Sequence, residues 1–150
     1  MTQTQEKVVK QVQIYTDGAC AGNPGPGGWA ALLVYIDGHQ QRREKTVTGY
    51  EYRTTNNRME LCAAIRGLDS LREPCAVTLY SDSTYVVGIG TGSYRAVRNQ
   101  DLVAALRAAI QRHRTVEFHH VAAHCGHAEN ERIDGLARTQ AAHAKHACRS

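Results

Sequence analysis

The feature that most constrains the fold is a short alternating segment that ends in an acid and runs into a glycine- and proline-rich loop. Val12, Ile14 and Thr16 recur at every second position, which is typical of a half-buried β-strand. Asp17 ends this segment, and residues 18–28 contain too much glycine and proline to form a helix. The chain therefore begins its fold with a strand that delivers a carboxylate to an open loop.

The loop itself has a composition that suits contact with a ligand. Its glycines allow backbone N–H groups to approach a ligand closely, and its prolines stiffen the turn. An acid beside such a backbone suits a metal ion next to a phosphate. The stretch taken alone is equally compatible with an ordinary turn that contains Asp17, so the choice depends on whether other acids converge there. The residues concerned are Gly22, Pro24, Gly25, Pro26, Gly27 and Gly28.

Length and composition indicate one folded domain. A chain of 150 residues can bury a sizeable core, and 42% hydrophobic residues argue against disorder. The net charge of +4 permits a polyanionic partner without requiring one. The odd number of cysteines and the lack of a C-x-x-C pair favour reduced thiols and a cytoplasmic location. The sequence shows neither an apolar run of transmembrane length nor a signal-peptide pattern.

The order of predicted elements is βββαβααβα, which indicates an α/β domain over residues 10–147 after a flexible N-terminal segment, residues 1–9. A strand that is joined through a helix to another strand of the same sheet is expected to run parallel to it. Residues 88–93 contain three glycines and are predicted as a loop. Strands are predicted at about 11–17, 28–36, 42–50, 76–81 and 115–122, and helices at about 57–71, 84–87, 99–113 and 129–146.

Four acids occupy positions that suggest a metal site. Asp17 and Asp82 each end an apolar strand, and the ends of parallel neighbours lie within roughly 5 Å of each other. Glu60 is predicted in the first turn of a helix, and Asp134 lies early in the last helix. Carboxylates this close repel each other unless a cation joins them, and Mg²⁺ prefers such hard oxygen ligands. Each acid alone is also compatible with a surface charge or a helix cap, so the prediction depends on the strand order.

Four blocks of the sequence resemble, in the same order, the signature blocks of type 1 ribonuclease H, or ribonuclease HI. The resemblance covers about residues 10–140, and the second and fourth blocks are long and specific. It implies an α/β fold with a five-stranded mixed sheet of order 3-2-1-4-5 flanked by helices, in which strands one and four are neighbours. The blocks are Asp17-Gly18 with residues 22–28, Thr54-Thr55-Asn56-Asn57-Arg58-Met59-Glu60-Leu61, Ser81-Asp82-Ser83, and residues 124–134.

The resemblance also implies an activity. The family hydrolyses the RNA strand of RNA–DNA hybrids by two-metal-ion catalysis and leaves 5′-phosphate and 3′-hydroxyl ends. By motif position, Asp17, Glu60, Asp82 and Asp134 are the catalytic acids that bind two Mg²⁺ ions, for which Mn²⁺ is a possible substitute. His124 lies on the loop before the last helix and assists proton transfer or product release, a role that suits imidazole near neutral pH.

Polar residues in two of the blocks match substrate contacts of the family. Asn23, Thr55, Asn56 and Asn57 correspond to positions that contact the hybrid, where amides and hydroxyls can engage the 2′-OH of RNA. Asn23 and Thr55 also match positions that help to seat a phosphate of the DNA strand. Arg58 is interpreted as support for the loop rather than as a contact. The expected partner is an RNA–DNA hybrid duplex, with no membrane and with a monomer as the default state.

The sequence departs from the best-known bacterial members in one segment. Those members carry a basic, tryptophan-rich protrusion between the third acid block and the long helix, whereas only residues 88–98 fill that space here. The only tryptophan, Trp29, is far away in the sequence. The chain thus resembles a variant lacking the basic protrusion, with Tyr94 and Phe118 as partial aromatic substitutes. Weaker and strongly salt-sensitive binding of hybrids is the expectation.

Three other interpretations compete with this one. The run His124-Cys125-Gly126-His127 invites a zinc site, but a second ligand pair at structural-zinc spacing is missing from the sequence. A hybrid-binding module without catalysis would bind without turnover, and the complete acid set argues against it. Another nuclease of the superfamily, such as a resolvase or an integrase-like transferase, is disfavoured by the block at residues 54–61.

Overall fold

A computed structural model describes residues 9–122 and 128–147. Within these ranges the sheet has the strand order β3-β2-β1-β4-β5. Strand β1 is antiparallel to β2 and parallel to β4, which confirms the predicted strand order. Most of the predicted flexible segment, residues 1–8, lies outside the described residues. The elements are β1 (Gln11–Cys20), β2 (Gly25–Ile36), β3 (Arg42–Thr54), α1 (Asn56–Asp69), β4 (Ala76–Ser81), α2 (Thr84–Thr91), α3 (Gln100–Gln111), β5 (Thr115–His120) and α4 (Ala128–Ala147).

Helices cover both faces of the central strands. Leu33 on one face of β2 belongs to a core that includes Leu61 of α1 and Leu106 of α3. Leu32 on the other face packs with Ile133 of α4. This two-sided burial explains why β2 is a continuous apolar run rather than an alternating one. Among the described helices, none is both long and apolar enough to cross a membrane.

A glycine lets α4 lie close to the sheet. A Cβ atom added at Gly28 of β2 would lie 2.4 Å from the backbone nitrogen of Ala141 and 2.5 Å from the carbonyl oxygen of Ala137. Contacts this short with helix backbone cannot be relieved by a side-chain rotation. Gly28 therefore determines how closely α4 packs on β2, and with it the position of the helix that carries Asp134.

Two predicted loop segments belong to regular elements. Strand β1 continues beyond its predicted end to Cys20, which pairs with Gly27 of β2. The side-chain pattern does not predict this pairing, because the glycines have no side chains and the ladder requires only backbone groups. Likewise, α2 continues past Gly88 and ends at Gly92, whose left-handed φ of 81° suits the end of a helix. The prediction of a loop from residue 88 is therefore wrong over residues 88–91.

Candidate active site

The ends of β1 and β4 bring two acids together. Thr16 is paired with Ser81 in the parallel ladder, so Asp17 and Asp82 follow at the carboxyl ends of neighbouring strands. Asp17 is only 6% exposed. Carboxylate oxygens of Asp17, Asp82 and Glu60 all lie within 4.8 Å of one another. The structure thus places three of the four predicted acids at one point of the sheet edge.

Glu60 reaches this point because α1 touches the end of β1. A Cβ atom added at Gly18 would lie 2.6 Å from the backbone nitrogen of Glu60 and 2.7 Å from the carbonyl carbon of Met59. Only glycine allows this approach of helix to strand. The helix begins at Asn56 and is capped by Thr55, whose side chain accepts a hydrogen bond from the Arg58 N–H. The prediction that Glu60 lies in the first turn is therefore wrong, since it lies in the second.

Crowding and burial shift the pKa values of the two buried acids. Burial, followed by the nearby charge of Asp82, raises the pKa of Asp17 from 3.8 to about 7. Burial also raises the pKa of Glu60 well above its ordinary value, and the charges of Asp17 and Asp82 add to the effect. In the described part of the chain, the buried Oε2 atom of Glu60 has no hydrogen-bond partner. Close carboxylates and an unsatisfied buried oxygen fit a hard divalent cation.

Asp134 joins the cluster from α4. A hydrogen bond between the side chains of Asp17 and Asp134 adds to the rise in the pKa of Asp17. Asp134 is also held by an ion pair with Arg138 one turn later, at 3.2 Å. The other three predicted acids therefore all interact with Asp17. His124 lies outside the described residues.

The predicted substrate residues lie together beside the acids. The Asn23 side-chain oxygen accepts a hydrogen bond of 3.0 Å from the Asn56 N–H, which ties the glycine-rich loop to the start of α1. Thr55 caps the same helix, and Asn56 and Asn57 are exposed in its first turn. The Cys20 thiol donates to the Thr54 carbonyl at 3.5 Å and so links β1 to the end of β3. One polar surface thus forms from three separate chain segments.

A hydrogen-bond network around Arg58 was not predicted from the sequence. Arg58 forms two hydrogen bonds with the Asp101 carboxylate, of 2.8 and 3.0 Å, and this guanidinium lowers the pKa of Asp101 to about 2. Arg58 also donates to the Asn99 side-chain oxygen at 3.3 Å, and the Asn99 amide donates to the Tyr85 hydroxyl at 3.0 Å. Arg58 therefore ties α1 to the start of α3, a longer reach than the predicted support of its own loop. Asn99 has a left-handed φ of 61°. The sequence around it does not distinguish it from an ordinary turn residue.

The segment between α2 and α3 is short and offers few aromatic groups. Only residues 92–99 separate these helices, so the basic protrusion is absent. Tyr94 is exposed and its ring contacts Tyr85 edge-on, with centroids 5.6 Å apart. Phe118 instead packs against the core, and a Cβ atom at Gly90 would lie 2.5 Å from its ring. The prediction of Phe118 as a substitute DNA contact is therefore wrong.

The mixed sheet, with acids at the ends of its two central parallel strands and further acids from two helices, defines an enzyme of the ribonuclease H-like class. A profile of the RNase H family matches residues 9–142. The chain therefore belongs to the RNase H family.

Known proteins resemble the chain in sequence and in structure. Proteins named Ribonuclease H from Thermus thermophilus and Rhizobium meliloti are each 50% identical to it, over 88% and 87% of this chain and 84% and 90% of theirs. The N-terminal RNase H domain of a Mycobacterium tuberculosis protein superimposes with a TM-score of 0.80 at 26% identity, covering 93% of this chain and 99% of that one. LC11-RNase H1, solved in complex with an RNA/DNA hybrid, has a TM-score of 0.74 at 26% identity, covering 89% and 98%.

Proposed function

We propose that this chain is an endoribonuclease that hydrolyses the RNA strand of RNA–DNA hybrids by two-metal-ion catalysis and leaves 5′-phosphate and 3′-hydroxyl ends. The observation that carries the proposal is the convergence of Asp17, Glu60 and Asp82 within 4.8 Å. The hybrid-bound structure of LC11-RNase H1 supports the substrate class.

The chain's own residues perform distinct tasks in the proposed reaction. Asp17, Glu60, Asp82 and Asp134 hold the metal ions, because their carboxylates are the hard ligands at the site. Two Mg²⁺ ions bound there, or Mn²⁺ in their place, would supply activation of a water molecule and stabilisation of the leaving oxygen of the phosphodiester. Asp17 lies at the centre, since it interacts with Glu60 of α1, with Asp82 after β4 and with Asp134 of α4. By its motif position, His124 moves a proton or helps the product to leave.

Binding of the hybrid falls to the neighbouring polar surface. By their motif positions, Asn23, Thr55, Asn56 and Asn57 would engage the sugar–phosphate backbone and the 2′-OH groups. The proposed catalytic domain comprises residues 10–147 and acts as a monomer in the cytoplasm. A reducing compartment is supported by the thiols of the described ranges, since Cys20, Cys62 and Cys75 are free.

Cleavage of a labelled hybrid tests the proposal. With Mg²⁺, the wild-type chain should cut only the RNA strand of the hybrid, and EDTA should abolish the cut. Asp17→Asn should reduce the rate by at least about a hundredfold, because the central ligand loses its charge. Asp69→Asn is the matched control, since Asp69 is an exposed acid that pairs with Arg112. Full activity of Asp17→Asn, or cleavage of the DNA strand, would refute the assignment.

A further inference from the structure

Two tyrosines are exposed at the end of an edge strand. Tyr50 and Tyr52 of β3 are 38% and 54% exposed. Their ring centroids lie 5.6 Å apart, and the Tyr50 ring also lies 4.7 Å from the His143 ring of α4. These three side chains form what we call the aromatic patch. Edge strands are usually protected by charges, so exposed aromatic rings at this position call for an explanation.

The aromatic patch is held by packed elements rather than by a loose loop. Tyr50 lies opposite Gly28 in the β2–β3 ladder. Since α4 packs closely over Gly28, this helix brings His143 against the Tyr50 ring, with the two rings inclined by 68°. Tyr52 lies edge-on to Tyr50, inclined by 64°. The patch therefore presents ring surface in a fixed arrangement, so little conformational entropy is lost when a ligand binds.

The patch lies at the end of β3 that leads into the proposed substrate surface. Tyr52 lies two residues before Thr54, and Thr54 pairs with Gly25 of the glycine-rich loop. Asn23 of that loop is hydrogen-bonded to Asn56 at the start of α1. The aromatic rings and the polar contacts thus lie at the same end of β3.

The charges around the patch favour a polyanion. The last turn of α4, which follows His143, carries Lys145 and His146. Arg53 is exposed next to Tyr52. Glu51 is the acid on this part of β3, and its charge raises the pKa values of Arg58 and Cys62 of α1. Glu51 therefore lies on the opposite face of the sheet from the aromatic patch. Lys145 and Arg53 would therefore attract the phosphate groups of a nucleic acid to this part of the surface.

We infer that the aromatic patch binds unpaired nucleotides that extend from the end of the hybrid. This inference rests on the proposed function, because it places the patch beside a bound hybrid. Unpaired bases stack on exposed aromatic side chains, whereas bases inside a duplex have both faces covered. The substrate class becomes hybrids with a single-stranded extension, and the patch contributes affinity beyond the paired region.

A set of matched hybrids tests the inference. One blunt hybrid is compared with four versions of it, each carrying an unpaired extension of RNA or of DNA at one 5′ or 3′ end. Dissociation constants are measured in EDTA, so that binding is recorded without turnover. Stacking of one base supplies about 1–3 kcal/mol, so at least one extension should tighten binding by about fivefold or more. The end and the sugar that give the gain identify the strand that reaches the patch.

Variants assign the gain to the patch. Tyr52→Ala should remove the gain from the extension and leave the affinity for the blunt hybrid unchanged, whereas Tyr52→Phe should keep the gain. His143→Ala should reduce it, and Ile36→Ala, an exposed apolar residue that pairs with the opposite end of β3, serves as the control. Melting temperatures verify that each variant is folded.

Two results would overturn the inference, namely no gain from any of the four extensions, or a full gain in Tyr52→Ala. Failure of the proposed function is a separate result, because it shows as absent cleavage of the blunt hybrid with Mg²⁺. The binding comparison remains informative in that case, since it does not depend on turnover.

Discussion

The buried carboxyl of Asp17 should make the metal-free protein less stable as the pH rises. Its pKa is about 7 in the folded chain and 3.8 ordinarily. Below pH 3.8 the group is protonated in both states and has no effect on stability. Between these values the unfolded chain releases the proton and the folded chain retains it, so stability falls until the pH exceeds the folded pKa.

The size of the loss follows from the same two pKa values. Each unit of difference corresponds to about 1.4 kcal/mol, so a rise from 3.8 to about 7 costs about 4 kcal/mol of unfolding free energy at pH 8. Glu60 acts in the same direction, because its pKa is raised too. Asp17→Asn should therefore stabilise the metal-free protein by roughly 2–4 kcal/mol at pH 8 and by less than about 0.5 kcal/mol at pH 4.

Urea denaturation in EDTA at the two pH values measures this difference, with Asp69→Asn as the control for replacing an exposed acid. Mg²⁺ at pH 8 should raise the stability of the wild-type chain more than that of Asp17→Asn, because the variant lacks the central ligand. An equal gain at pH 4 and pH 8, or no gain at pH 8, would show that the stability of the fold does not depend on this charge.

Three further predictions concern the elements around the acids. Gly18→Ala should lower the free energy of unfolding by about 1–3 kcal/mol and the cleavage rate by at least about tenfold, because the new methyl group meets the backbone of α1. Gly38→Ala, which has open space around its Cβ position, is the control for both the unfolding and the cleavage measurements. Asp101→Asn should raise KM for the hybrid and leave kcat nearly unchanged, since Arg58 loses its charged partner in α3 while the acids stay in place. Steady-state kinetics measure both constants, and a fall in kcat alone would contradict this prediction. The logarithm of Kd for the hybrid should rise linearly with the logarithm of salt concentration. Arg95 lies in the short segment between α2 and α3, and we expect it to contact a phosphate, so Arg95→Ala should lower that slope by about one. An unchanged slope would exclude this contact.

Local patterns predicted the main elements because their physical causes are local. Alternation identified β1, because every second residue of that strand faces the core. The proximity of Asp17 to Asp82 required one non-local fact, the strand order, which the resemblance supplied. Once β1 and β4 are parallel neighbours, the geometry of a sheet brings those two acids together without further assumptions.

The parts that escaped prediction depend on partners far along the chain. Arg58 and Asp101 are 43 positions apart, and no pattern around either residue indicates the other. Gly88 looks like a helix terminator, yet α2 continues because Gly92, four residues later, provides the left-handed end. Phe118 looks like an available aromatic residue until its contact with Gly90 shows it packed. For Arg58 and Phe118, tertiary contacts decide what the sequence leaves open, whereas for α2 the choice between two nearby glycines decides it.

Gly18, next to the first acid, shows how one residue connects the local sequence pattern with the tertiary packing. In the sequence Gly18 reads only as part of a turn, but in the fold it removes the atom that would separate β1 from α1. The contact places Glu60 against Asp17, and the burial that results raises the pKa of both acids. The metal-free protein is thereby destabilised at neutral pH, and a divalent cation relieves the repulsion. The close packing that assembles the site is thus also the reason that the site needs its metal.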